Sequence, residues 1–201
     1  WDGHVPEAGI RLNPFAPTGP VLSAGRLETL ARCPMDYFFR YVLGIEPPEE
    51  YALDPTVWLD PLQKGALLHE VFCEFLSGLT SRSLLPDFER DQESLRGMVE
   101  RRLEAERREL PPINEDVYDR ERAELLQTAD IFLREEEEFC RTSRPRWFEV
   151  SIGMASEGAR SPLDHVEPAL IALPSGRRFR ARGRVDRVDE VGAGRFAVWD
   201  Y

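Results

Sequence analysis

The spacing of apolar residues predicts three long helices in the middle of the chain. In residues 60–79 apolar side chains recur every three or four positions, which is the spacing of one helix face. Asp60 is a suitable N-cap for this helix, and Pro61 suits its first turn. The same spacing, with more charge, predicts helices over 86–110 and 115–140, which "PPIN" separates. We expect the "REEEE" run of the third helix to face solvent.

Two shorter helices are expected before them. Ser23 is a suitable N-cap for the first, and Pro34 suits the opening turn of the second. The apolar face of the second helix is predicted to comprise Tyr37, Phe38, Tyr41 and Val42. Residues 1–20 hold four prolines and three glycines, and they are expected to form a linker or an extended arm. Residues 46–58 are expected to form a loop.

The period of the pattern changes to two in the last part of the chain. The segments "WFEVSIGM", "PALIALP", "GRRFRARGRVDRVDEV" and "RFAVWDY" alternate as strands do, and Gly, Pro and Ser separate them. We therefore expect one domain over 21–201, with helices over 21–142 and a β-meander of three or more strands over 145–201. This order predicts an α+β fold, or an α/β fold whose last elements are missing.

Composition narrows the class of protein. The 201 residues have a net charge of −11, which argues against a general nucleic-acid-coating protein. Residues 1–140 hold 15 basic and 29 acidic residues, whereas residues 141–201 hold 11 and 8, so the strand-rich part is the basic part. No apolar run approaches the roughly 20 residues of a membrane span, and the start does not resemble a signal peptide. The sequence begins without methionine, and we expect it to be part of a longer polypeptide.

Cysteine usage favours the cytoplasm. The three cysteines, Cys33, Cys73 and Cys140, are odd in number and far apart, which is not the pattern of a disulfide framework. Cys73 and Cys140 lie in helical apolar patterns, and we expect both to be buried thiols.

Two aspartates near the end of the sequence are predicted to lie close together. A hairpin that turns at "EVGAGR" brings Asp186 roughly opposite residues 198–200, beside Asp200. Two carboxylates at that distance repel each other unless one is protonated, arginines neutralise them, or a divalent cation bridges them. Hard oxygen ligands suit Mg²⁺ or Mn²⁺. The alternative is that Asp186 pairs with a neighbouring arginine and Asp200 merely ends a strand.

Two further side chains are candidates for the same cluster. Glu149 lies between Phe148 and Val150 in a strand pattern, where an acid is costly unless it has a partner or faces solvent. His69 lies on the most apolar helix, where a lone histidine is either a core residue with one satisfied nitrogen or a ligand.

Four segments together resemble a known family. "LSAGRLETLARCPMDYFFRYVLGIEPPEE", "KGALLHEVFCEFL", "FEVSIGM" and "GRVDRVDE…AVWDY" are similar, in this order, to the RecB-like nuclease domains of the PD-(D/E)XK superfamily. The likeness covers about residues 21–80 and 145–201 and is greatest for the C-terminal nuclease module of AddB-type helicase–nuclease subunits. It implies a restriction-endonuclease-like fold and metal-dependent DNA cleavage in repair or recombination.

The resemblance implies a role for each candidate residue. His69 in "LLHE", Asp186 in "GRVDRVD" and Asp200 in "WDY" match the family's metal ligands, and Glu149 matches its acid on the first core strand, so Glu149, Asp186 and Asp200 would be catalytic. The implied cofactor is Mg²⁺ or Mn²⁺. The family's catalytic lysine would follow Tyr201, so we expect the sequence to be truncated there and residues 1–201 to be inactive alone.

The resemblance also implies partners. Arg180, Arg182 and Arg184 would hold the backbone of single-stranded DNA or a duplex end, or they would instead pair with acidic helices. The helicase region of the same chain and a partner helicase–nuclease subunit are further implied partners. Cys33 in "ARCPMDYFF" matches the first ligand of an iron–sulfur cluster, which could form only in a longer parent protein. The alternative function is a degenerate nuclease fold that serves as a scaffold or guides DNA.

Overall fold

The computed structural model describes residues 9, 12–46, 54–156 and 161–200. The chain divides into two compact units, Trp1–Glu50 with Glu149–Val185, and Tyr51–Phe148 with Asp186–Tyr201. Residues 47–53, which make up most of the predicted loop, lie outside the described residues, as does about half of the predicted arm. None of the helices described is both long enough and apolar enough to cross a membrane.

The first unit begins with the two predicted short helices. Helix α1 (Ala24–Arg32) is capped by Ser23, whose hydroxyl accepts a hydrogen bond from the Arg26 amide. Helix α2 (Pro34–Tyr37) begins at Pro34 and continues as a π-helix over Phe38–Val42. The π-helix turns the aromatic side chains away from the single face that α-helical spacing predicts, and Phe38 is 42% exposed.

The first unit also contains a small sheet. Strands β2 (Ala169–Ala172) and β3 (Arg178–Ala181) pair antiparallel, with Ile171 opposite Phe179. The prediction of one continuous strand in "GRRFRARGRVDRVDEV" is wrong, because β3 ends at Ala181 and the next strand begins at Gly183. Leu22 pairs at this break: its amide donates to the Arg180 carbonyl, and its carbonyl accepts from the Arg182 amide.

The second unit holds the three predicted long helices. Helices α3 (Pro61–Ser81), α4 (Phe88–Glu109) and α5 (Glu115–Phe139) begin at caps formed by Asp60, Asp87 and Asn114. The Asp60 cap forms a reciprocal capping box with Gln63. Their apolar faces form one core, whose most deeply buried members are Leu59, Leu76, Leu79, Leu95, Val99, Leu103, Leu125, Ala129 and Leu133.

A buried glutamate holds the chain at the entry to α3. The carboxylate of Glu121, on α5, accepts hydrogen bonds from the amides of Trp58 (2.9 Å) and Leu59 (3.0 Å). Its charge is balanced by Lys64, whose Nζ lies 3.5 Å from it. Because Glu121 is only 1% exposed, these contacts replace water and fix where α3 begins.

A three-stranded sheet completes the α+β fold that the sequence predicts. Strands β1 (Arg144–Ile152), β4 (Gly183–Gly192) and β5 (Arg195–Trp199) lie in the order β1-β4-β5. The β4–β5 hairpin has the predicted turn, and its register pairs Arg187 with Trp199 and Val188 with Val198. The sheet is not the predicted meander, because β2 and β3 pair with each other in a separate sheet.

Candidate metal centre

Helix α3 carries His69 at the edge of its buried face. Leu67, Val71 and Phe72 anchor this stretch of the helix in the core, whereas the His69 side chain keeps 29% of its surface exposed. The histidine is therefore not a core residue. Its ring stands at the margin of the apolar core, where a polar partner or a ligand can reach it.

Strand β4 supplies that partner. The Oδ2 atom of Asp186 lies 3.4 Å from Nδ1 of His69, and the Asp186 side chain is 19% exposed. Asp186 lies one residue beyond the last paired position of the hairpin, next to Arg187, so its backbone is held by the sheet. The pair joins the residues that the sequence predicted from two segments more than 100 positions apart.

Glu149 lies on β1 with an unusual backbone conformation. Its φ is 50°, in the left-handed region that residues other than glycine rarely adopt. Such a conformation costs of order 1–3 kcal/mol and is found preferentially at functional sites. The Glu149 carboxylate lies 3.6 Å from a guanidinium nitrogen of Arg184. The side chain is thus aimed by a strained backbone, and it is half-buried beside a cation.

His69 and Asp186 form a pair that could hold a metal ion. The facing atoms, Nδ1 of His69 and Oδ2 of Asp186, lie 3.4 Å apart. Adjacent ligand atoms of Mg²⁺ lie about 3.0 Å apart when each bond is about 2.1 Å, so a shift of a few tenths of an ångström suffices. An imidazole nitrogen and a carboxylate oxygen are ligands that Mg²⁺ or Mn²⁺ accepts. The pair therefore fits part of the coordination shell of a small divalent cation.

Asp200 does not belong to this pair. The β4–β5 pairing ends at Arg187 and Trp199, one residue short of Asp186 and Asp200. Asp200 itself is exposed and follows the last residue of β5. Its role as a metal ligand and catalytic acid stays a prediction.

The three arginines predicted to bind DNA lie along two separate strands, β3 and β4, and the gap between them. The Arg180 guanidinium donates to the Gly19 carbonyl, and Arg184 pairs with Glu149. Arg182 is exposed between the two strands. The DNA-binding role of the three arginines stays a prediction.

Cys33, which the resemblance assigns to an iron–sulfur cluster, is half-buried at the start of α2. Its sulfur accepts a hydrogen bond from the Asp36 amide at 3.5 Å, so it acts as the N-cap of that helix. Within the described ranges Cys33 belongs to no group of three metal-ligating side chains. The cluster in a longer parent protein stays a prediction.

Lys64 is the only lysine in the sequence. Its ammonium group lies 3.5 Å from Glu121 and 3.2 Å from Glu124, both on α5. These contacts account for Lys64 as the partner of a buried carboxylate. It is therefore a structural cation, and it does not match the lysine that the resemblance implies.

A buried ionic cluster lies beside Asp186, and the sequence did not predict it. Arg187, Asp189 and Glu136 are 1%, 0% and 9% exposed. Burial raises the pKa of Asp189, while the attraction of Arg187 opposes that rise. Burial, with help from Glu136, raises the pKa of the Cys140 thiol to about 12. Glu136 belongs to the "REEEE" run, so the prediction that this whole run faces solvent is wrong.

The signal for this cluster was present in the sequence. Arg187 and Asp189 alternate with Asp186 and Val188, which places them on the opposite face of the strand. Two charged residues in succession on one face of a strand are as typical of a solvent-exposed face as of a buried ionic cluster. The pattern alone could therefore not show that these residues are buried.

The sequence of this chain matches a known protein family. A sequence model described as the PD-(D/E)XK nuclease superfamily matches residues 21–201. The match spans α1 to the end of β5 and includes His69, Glu149 and Asp186. No curated protein matches the chain.

Proposed function

The chain belongs to the PD-(D/E)XK nuclease superfamily, and from this premise we propose that it forms the metal-dependent, phosphodiester-cleaving domain of a DNA nuclease. The observation that carries the proposal is the pair of His69 and Asp186, whose Nδ1 and Oδ2 atoms lie 3.4 Å apart. Superfamily members cleave phosphodiesters with divalent cations, and this chain offers a suitable ligand set.

Each residue has a distinct task in this proposal. His69 and Asp186 hold the cation, and Asp200 adds a further carboxylate from the adjacent strand. A bound divalent cation would neutralise phosphate charge and acidify water. Glu149, which matches the family's acid on the first core strand, would bind a second cation or a metal-bound water molecule. Arg182, and Arg184 once released from Glu149, hold the DNA backbone without reading its sequence.

Calorimetry with Mn²⁺ tests the metal site on residues 1–201. We expect one binding event that Asp186→Asn weakens at least about 100-fold, since even changes to groups behind the ligands cost 10–100-fold. Glu190→Gln is the matched control, because it removes a carboxylate from the same strand whose partner is Arg146, 3.0 Å away. Equal affinity in Asp186→Asn and the wild type would overturn the proposal.

Cleavage is the second readout. We expect the natural polypeptide that contains this sequence to cleave single-stranded DNA or duplex ends in the presence of Mn²⁺. Asp186→Asn and Glu149→Gln should each abolish it, whereas Glu190→Gln should not. Cleavage that survives Asp186→Asn would show that another site performs the reaction.

We further propose that this nuclease domain is of the AddB type and acts with a helicase in DNA repair or recombination. The support is the order of the four sequence segments that resemble such modules. The natural gene that encodes this chain should also encode, or lie beside, an ATPase with helicase motifs. A gene with no such neighbour or extension would overturn this finer assignment.

A second candidate function is a nuclease fold that serves as a scaffold or guides DNA. The observation that favours it is that the Glu149 carboxylate lies 3.6 Å from a guanidinium nitrogen of Arg184, so this acid already has a cationic partner within the protein. One experiment distinguishes the two candidate functions. A scaffold would bind DNA equally well with and without Mn²⁺ and would not cleave it, in the wild type and in Asp186→Asn alike.

A further inference from the structure

Arg187 is the largest fully buried side chain in the described part of the chain, and it follows Asp186 directly. A buried cation is costly unless opposite charges and hydrogen bonds compensate for lost water. Arg187 has both kinds of partner. Its Nη1 donates to Oε1 of Glu136 on α5 at 2.8 Å, and its Nε lies 2.9 Å from Oδ1 of Asp189. One guanidinium therefore joins strand β4 to helix α5.

Aromatic rings complete the surroundings of this guanidinium. Its central carbon lies 5.9 Å from the ring centre of Phe139, on α5, and 5.7 Å from that of Trp199, on β5. Phe139 and Trp199 also pack edge to face, with ring centres 4.4 Å apart. A planar guanidinium that makes ion pairs and ring contacts together is not replaced by the compact ammonium of lysine. The cluster therefore requires arginine at this position.

The geometry of a strand links this cluster to the pair of His69 and Asp186. Successive side chains point to opposite faces, so Arg187 and Asp189 lie on one face of β4 while Asp186 lies on the other. A roll of the strand, or a slip by one residue, would move Asp186 away from His69. Because β4 is anchored to α5 on the Arg187 face, the direction of Asp186 on the opposite face is fixed.

Resting on the proposed function, we propose that Arg187, with Glu136, is a positioning residue for the metal site. The arginine does not touch the cation. It fixes the roll and register of β4 and thereby holds the Asp186 carboxylate 3.4 Å from His69. The role requires a specific ion pair, so a substitution that preserves charge but changes shape should still impair metal binding.

Two mild variants test this role without emptying the core. Arg187→Lys keeps the positive charge, and Glu136→Gln keeps the size of its side chain. We expect each to lower Mn²⁺ affinity by about 10-fold or more, the range found for groups that orient metal ligands. The Mn²⁺ electron-paramagnetic-resonance spectrum should change as well, because the Asp186 ligand is no longer held in one orientation.

The matched control is Glu121→Gln. Like Glu136, Glu121 is a buried carboxylate on α5 that is paired with a cation. Its partners, however, are the amides of Trp58 and Leu59 just before α3 and the Lys64 ammonium group in the first turn of α3. This variant should lose stability and keep wild-type Mn²⁺ affinity to within about twofold, when both are measured at a temperature where every variant is folded. A merely structural role for Arg187 predicts that metal affinity falls in all three variants in proportion to lost stability.

The outcomes separate this inference from the proposed function. Wild-type affinity in Arg187→Lys and Glu136→Gln, with binding lost in Asp186→Asn, overturns the positioning role and leaves the proposed function intact. An equal loss of affinity in Glu121→Gln also overturns it. A wild-type chain that binds no Mn²⁺ would overturn both.

Discussion

The imidazole Nδ1 of His69 lies 3.4 Å from Oδ2 of Asp186. The first residue is held by a helix packed in the apolar core, and the second by a hairpin strand. The two atoms are already close, and both side chains keep part of their surface exposed, so one cation can reach both of them. The proposed metal site can therefore be probed through stability as well as through activity.

Mn²⁺ should stabilise the folded chain through this pair. At a concentration 100 times the dissociation constant, binding adds about 2.7 kcal/mol, which corresponds to roughly 5–10 °C in melting temperature for a chain of this size. Thermal unfolding followed by circular dichroism should show this rise in the wild type. The rise should be smaller in His69→Gln and absent in Asp186→Asn. Glu74→Gln, which removes an exposed acid from the same helix, should keep it, and a full rise in Asp186→Asn would contradict the assignment.

Substitutions of Glu149 should change both the free energy of unfolding and the affinity for Mn²⁺. Its φ of 50° costs about 1–2 kcal/mol that glycine would not incur. We therefore expect Glu149→Gly to raise the free energy of unfolding by about 1 kcal/mol relative to Glu149→Ala, after allowance for the greater freedom of glycine in the unfolded chain. Both variants lose the carboxylate and the Arg184 contact, so both should bind Mn²⁺ more weakly than the wild type. Urea denaturation of the two variants measures the difference, and equal stability would mean that the conformation carries no strain.

The sequence predicted the helices well because their ends carry local signals. Asp60, Pro61 and "PPIN" mark helix boundaries through hydrogen bonds and sterics that involve only neighbouring residues. The β4–β5 hairpin was predictable for the same reason, since Gly192 and Gly194 mark its turn. These elements needed no knowledge of distant contacts.

Features that depend on distant partners were not predictable in the same way. Nothing near Ala181 indicates that Leu22 pairs there or that β3 ends at this residue, so the strand was expected to continue. The burial of Arg187 and Asp189 depends on Glu136, 51 and 53 positions earlier in the sequence. His69 and Asp186 were brought together by resemblance to a family, because their spacing in the sequence says nothing about their distance in space.

Asp189 should give the wild type a distinctive dependence of stability on pH. Burial raises the pKa of this carboxyl in the folded state above its ordinary value near 3.8. A raised pKa means that the folded state holds its proton more tightly than the unfolded state. The associated stability is fully present below the unfolded pKa and is lost as pH rises through the folded value. Urea denaturation between pH 4 and 8 should therefore show the wild type losing stability relative to Asp189→Asn as pH rises. The opposite slope would mean that the attraction of Arg187 outweighs the cost of burial.

Cys140 should be the least reactive thiol of the folded chain. Its side chain is buried, and its pKa is raised to about 12, mainly by burial and next by the nearby Glu136 carboxylate, whose Oε2 lies 3.9 Å from the sulfur. Thiolate is the reactive form, so alkylation at pH 8 has very little reactive species at Cys140. Cys33 and Cys73 are only half-buried, which corrects the expectation that Cys73 is fully buried. Peptide mapping after timed treatment with iodoacetamide should find Cys33 and Cys73 modified first, with Cys140 modified only in urea. Equal rates at all three cysteines without urea would show that the cluster of Arg187, Glu136 and Asp189 opens readily, and the anchoring of β4 to α5 would then be too weak to hold Asp186 in place.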